Sequence, residues 1–153
     1  DGKVVVKLNV YTMNFGSDDS DAYLYMAGTT KLSTDIQGAL SSIFILYDPA
    51  GFQSTTGTLR YLDGSLPQSD ADNDWWNMVY HWDDCPVLAG LDLGDYTSDA
   101  VQNDSGSSQE LLSHYYIGIR GAWTKDADGL LSDGEALWQA LTAGAVSTVT
   151  KEG

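Results

Sequence analysis

Between Tyr61 and Ile119 the sequence contains no lysine or arginine, yet it carries ten aspartates and Glu110. Carboxylates without basic partners must stay hydrated at a surface, so the apolar residues of this stretch have to supply its core. They include the densest aromatic group of the chain, Trp75-Trp76-Asn77-Met78-Val79-Tyr80-His81-Trp82. Any fold this chain adopts must therefore turn an aromatic segment inward and keep its acidic flanks wet.

The imbalance runs through all 153 residues, where 22 Asp and Glu oppose 7 Lys and Arg for a formal net charge of −15. Without clustered basic residues, nucleic acid is excluded as a partner and anionic membrane surfaces are disfavoured. The longest uninterrupted apolar run, Ile43 to Tyr47, falls far short of the ~18 residues of a membrane span, so no membrane insertion is expected. Mutual repulsion on so acidic a surface is relieved by cations. Few Lys and Glu beside abundant Gly, Ser, Thr, Tyr and Asp is a composition of surface and secreted proteins, which points to an extracellular or cell-surface setting. Cys85 is the single cysteine, which rules out an internal disulfide. Asp83 and Asp84 beside it disfavour the thiolate, so it reads as a small buried hydrophobe.

Val4 to Thr12 alternates, with Val4, Val6, Leu8 and Val10 on one side, and predicts a strand. Ala22 to Ala27 predicts a second, with Leu24 and Met26 opposite Tyr23 and Tyr25, the two forming a hairpin. Further strands are expected at Ser42–Asp48, Thr56–Leu62 and Trp75–Trp82, with Trp76, Met78, Tyr80 and Trp82 sharing one face of the last. Leu88 to Asp104 reads as a long surface connection with one short strand. The Ser107…Glu110 capping-box spacing predicts a helical turn at 108–113 before a strand at 115–123. A second box, Ser132…Glu135, predicts a helix from Ala136 to Thr142 with Gly144 at its C′ position, and Ala145–Thr150 closes as a strand. Residues 1–153 thus read as one mainly β (β-rich α+β) domain: an antiparallel β-sandwich with one C-terminal helix packed on it through Leu137 and Leu141.

Residues 124–135 resemble the calcium loop of EF-hand proteins, a likeness confined to those twelve residues. Asp126 and Asp128 stand at its third and fifth places and Gly129 at the sixth, where the chain must turn sharply. Ser132 takes the ninth place and Glu135 the twelfth, while Thr124 replaces the usual first aspartate. The resemblance implies Ca2+ held by Thr124, Asp126, Asp128, the Leu130 carbonyl, Ser132 and Glu135, since a hard cation needs six to eight oxygens from alternate residues of a tight loop.

The aromatic segment offers different chemistry. Exposed Trp75 or Trp82 beside Asp74 would form a carbohydrate platform, flat rings stacking on sugar faces while the carboxylate grips hydroxyls. The competing reading places Trp76, Met78 and Tyr80 in the core. No nucleophile elbow, phosphate loop or dinucleotide fingerprint occurs. Three functions follow as expectations: a calcium-stabilised structural or adhesive protein of a surface filament or coat that self-assembles; a carbohydrate-binding module taking a surface glycan; and a small secreted hydrolase using aspartates with His81 or His114. The non-enzymatic readings are favoured by the missing catalytic motifs.

Overall fold

The computed structural model describes residues 9–11, 22–38, 40–69, 73–98, 104–121 and 128–153. Its contacts divide the chain into two units, 1–40 and 41–153. About 41% helix against 17% strand, with two small sheets, makes the chain α+β. That overturns the expectation of a mainly β sandwich, and the reasons lie in particular segments.

In the first unit, helix α1 (Ala22–Gln37) replaces the strand read at 22–27. Six alternating residues are a weak signal, whereas sixteen residues in helix satisfy their backbone groups locally. Leu32 and Asp35 are buried along it, and two threonines turn their hydroxyls back onto the helix, Thr30 Oγ1 to the Met26 carbonyl (2.8 Å) and Thr34 Oγ1 to the Thr30 carbonyl (2.9 Å). The Asp35 carboxylate accepts from the Tyr11 hydroxyl and from Asn9 Nδ2. Burial, reinforced by the hydrogen bond to Asp35 and its charge, pushes the Tyr11 phenol up to about 12. Of the strand read at Val4–Thr12, only Asn9–Tyr11 lies among the described residues, and these three have no regular structure.

The second unit is built on a three-stranded antiparallel sheet of order β1-β5-β2: β1 (Ile43–Leu46), β2 (Val79–His81) and β5 (Tyr116–Ile119). Strand β5 is central, pairing Leu46 with Tyr116 and Phe44 with Gly118 on one side, and His81 with Tyr116 and Val79 with Gly118 on the other. Directly opposed residues share a face, so Phe44, Leu46, Val79, His81, Tyr116 and Gly118 form one surface of the sheet and Ile43, Ile45, Tyr80, Ile117 and Ile119 the other.

The first surface is covered by helix α2 (Pro49–Thr56), whose Phe52 ring lies 5.0 Å from that of Phe44. Pro49 ends the strand and starts the helix, and Asp48 caps it by accepting from the Gly51 amide at 2.9 Å. Gly57 closes it at φ +58°. The strand read at Thr56–Leu62 is therefore corrected: only Leu59 reaches the ladder, through an isolated bridge to Arg120. Gly118 is needed where it stands, because a β carbon there would come within 3.0 Å of Leu59 Cδ2 and 3.1 Å of Val79 Cγ1.

On the second surface Ile117 and Ile119 join Trp82, Cys85, Leu88 and Trp138 in the main core. The Trp75–Trp82 segment is not one strand. It runs as a 3₁₀ turn (Trp75–Asn77), β2, and a second 3₁₀ turn (Trp82–Asp84). Each turn changes the phase of the alternation, so Met78 and Val79 are both fully buried although adjacent. The Trp82 indole donates to Gln109 Oε1 (2.8 Å), and Gln109 Nε2 donates to the Leu88 and Leu91 carbonyls (2.8 and 2.6 Å). One side chain thereby ties α4 (Ser108–Leu112) to the turn at Trp82 and to α3 (Pro86–Ala89) and the residues just after it. Helix α4 starts where the first capping box predicts, Ser107 Oγ accepting from the Glu110 amide. Between α3 and α4 the chain forms a hairpin of β3 (Asp95–Ser98) and β4 (Asp104–Ser107) rather than a connection with one strand.

The C-terminal helix α5 (Asp128–Leu141) begins eight residues before the expected start, so Ser132 and Glu135 lie within it instead of capping it. Its inward positions are Gly134, Trp138 and Leu141, three to four residues apart, while Leu137 is 40% exposed. The packing read through Leu137 is thus corrected to Trp138, whose ring lies 5.9 Å from that of Tyr80. Gly144 turns the chain at φ +76°. Ala145–Thr150 forms no strand. It is anchored by Asp84, whose carboxylate accepts from the Thr148 amide (2.9 Å) and hydroxyl (2.8 Å).

Candidate functional site

Strand β1 hands over to α2 at Tyr47-Asp48, and α4 hands over to β5 at His114-Tyr115-Tyr116. Because Leu46 pairs with Tyr116, these two junctions meet at one end of the sheet. They enclose an open groove of about 730 Å³ lined by Tyr47, Asp48, Leu111, His114, Tyr115 and Tyr116. Its volume falls within the roughly 300–1,000 Å³ of ligand pockets, and the groove is open to solvent.

The walls are aromatic and held by backbone bonds. Tyr47 is 73% exposed, and its ring lies 5.5 Å from Tyr115 at 59°. Tyr115 is fixed from both sides, its amide donating to the Leu112 carbonyl (2.9 Å) and its carbonyl accepting from the Trp82 amide (3.0 Å). Tyr116 stacks on His81 (4.4 Å, 31°) and meets the edge of Trp75 (6.1 Å, 89°), which in turn meets Trp76 edge-on at 6.2 Å. Tyr116 thus belongs both to the groove and to an aromatic cluster continuing to Trp76, over which the Lys151 ammonium sits at 5.7 Å.

The polar groups at the groove are the Asp48 carboxylate, the His114 imidazole and the tyrosine hydroxyls. Asp48 is exposed and aimed by its role as the α2 cap. Among the described residues no lysine or arginine lines the groove. The lining among those residues offers aromatic rings, hydrogen-bond donors and acceptors, and one acidic residue.

Of the three ligand-binding residues expected from the sequence, two lie at the surface together. Trp75 is half-buried against Tyr116, and Asp74 is exposed at the start of the same 3₁₀ turn. Trp82 is 4% exposed in the main core with its indole N–H bonded to Gln109, which removes it from any platform. The groove residues themselves were missed: Tyr47 and Tyr115 are far apart in sequence, and nothing local announces their meeting. The available hint was the recurrence of tyrosine at strand ends beside a Pro and beside a histidine.

Of the expected calcium ligands, Thr124 and Asp126 lie outside the described residues. Asp128, Leu130, Ser132 and Glu135 fall on α5, where a carbonyl such as that of Leu130 is taken by the amide four residues on. The Glu135 carboxylate lies 2.6 Å from Arg60 Nη2 and accepts from Gln139 Nε2 at 3.1 Å. Among the described residues no group of three or more His, Cys, Asp and Glu side chains converges to hold a metal ion.

Cys85 is fully buried, as expected for a small hydrophobe, and burial together with Asp84 pushes its thiol up to about 11. The same surroundings, burial first and then the charges of Cys85 and Asp84, raise the Tyr80 phenol. Neither group is poised to react. No helix among the described residues is long and apolar enough to cross a membrane. No family model, curated protein or solved structure matches the chain.

Proposed function

We propose that this chain is a non-enzymatic binding module that takes a carbohydrate, such as a surface glycan, in the groove at the β1/β5 end of its sheet. The observation that carries the reading is the Tyr47–Tyr115 pair standing beside the Asp48 carboxylate in an open groove. Sugar rings present apolar C–H faces and hydroxyl rims. A tyrosine wall stacks on the former, and a carboxylate, an imidazole and phenol hydroxyls accept or donate to the latter. The helix cap and the backbone bonds at Tyr115 hold these groups in place before any ligand arrives, which lowers the ordering cost of binding. An extracellular or cell-surface setting agrees with the acidic composition and belongs to the same proposal.

Titration calorimetry against a panel of neutral oligosaccharides tests it. Binding to at least one, abolished by Tyr115→Ala and retained by Trp76→Ala, supports the groove. Binding that survives Tyr115→Ala but vanishes with Trp75→Ala moves the platform to the 3₁₀ turn, and no binding to any saccharide defeats the proposal.

A further inference from the structure

We infer that the groove prefers a sugar carrying a cationic nitrogen. This rests on the carbohydrate reading and names the class of saccharide that the site selects. Three observations converge. The groove is lined by Tyr47, Tyr115 and Tyr116, and a tyrosine ring attracts a cation within about 6 Å of its face. Asp48 lines the groove, and its carboxylate sits at the start of α2. One of its acceptor positions is taken by the Gly51 amide (2.9 Å), whereas a carboxylate offers about four. Finally, among the described residues no lysine or arginine lines the groove, none occurs in sequence between Tyr61 and Ile119, and the chain's formal charge is −15.

These features sort sugars by charge. A uronate or sulfated sugar approaches a negative field and meets no basic partner, so it is rejected. A neutral sugar gains the aromatic stacking and the hydroxyl contacts. A sugar with a cationic nitrogen adds to these a cation–π contact with the tyrosines and a Coulombic attraction to Asp48, and the field of the molecule raises its encounter rate. His114 also faces the groove, so the ligand's charge has to be set independently of pH.

The test uses two oligomers of equal length at mildly alkaline pH: N,N,N-trimethylated glucosamine, whose charge is permanent, and N-acetylglucosamine, which is neutral. The wild-type chain is expected to bind the trimethylated oligomer about tenfold more tightly. That advantage is expected to shrink with added salt and to shrink in Asp48→Asn, which keeps the Gly51 cap acceptor. Equal affinity for the two oligomers overturns the inference while leaving the carbohydrate reading standing. Failure of both oligomers and of neutral glycans overturns both. An advantage undiminished in both Asp48→Asn and Tyr115→Ala assigns the attraction to the general acidic surface and overturns the site. Tetramethylammonium ion binding as tightly as the oligomer shows that the sugar adds nothing and also overturns it.

Discussion

Gly134 of α5 faces the side chain of Ser42, and no space remains between them for a β carbon. The helix approaches the start of β1 this closely because position 134 has no side chain. Gly134→Ala is expected to destabilise the chain by about 1–3 kcal/mol through overpacking, although alanine would gain about 1 kcal/mol of helix propensity. Urea unfolding measures the change, and Ser42→Gly in the same chain should restore most of it. Stabilisation by Gly134→Ala alone would show that the two elements do not approach so closely.

The Arg60–Glu135 ion pair joins the loop after α2 to α5. Both side chains are partly exposed, at 21% and 36%, so Glu135→Gln is expected to cost only about 0.5–1 kcal/mol. The loss should be the same in calcium and in chelator. Thermal melts of the wild-type chain and the variant in the two media check this, and a loss seen only with calcium would reassign Glu135 as a metal ligand.

Cys85 sets an alkaline limit. Its folded pKa, about 11, lies above the ordinary thiol value of 9.0, so the folded state holds this proton more tightly than the unfolded chain. Stability is therefore complete below about pH 9 and falls as pH rises toward 11, by about 2–3 kcal/mol in all. In Cys85→Ala this slope should flatten, leaving the later decline from Tyr80, whose pKa is also raised. Denaturant midpoints across alkaline pH provide the measurement.

Gln109 satisfies three groups at once, the Trp82 indole and the Leu88 and Leu91 carbonyls. Gln109→Ala leaves them without that partner and is expected to cost about 2–3 kcal/mol. Gln109→Glu keeps the acceptor for Trp82 but removes both donors, so it should be no better. Unfolding followed by tryptophan fluorescence reads the loss and the change around Trp82 together.

What could be read from the sequence was local. The apolar run at Ile43–Leu46, the Ser107 cap of α4, the strand at Tyr116–Ile119, the glycine turn at Gly144 and the burial of Cys85 each follow from neighbouring residues. The errors arose where a short alternation was extended past its support. At Ala22–Ala27 six residues imitated a strand inside a sixteen-residue helix. At Trp75–Trp82 two 3₁₀ turns shifted the phase and sent Trp82 inward. Ser132…Glu135 matched a capping box, yet it lies in mid-helix. The groove could not be read at all, because it depends on Leu46 pairing with Tyr116 across seventy residues of sequence, a register set by the whole core.

The most direct test of the account is chemical-shift mapping of the ¹⁵N-labelled chain during titration with the trimethylated glucosamine oligomer. Progressive, saturable shifts confined to the amides of Tyr47, Asp48, His114, Tyr115, Tyr116 and their immediate neighbours are the expected result. Unchanged groove amides, or shifts centred on Trp76 and Lys151 instead, would contradict it.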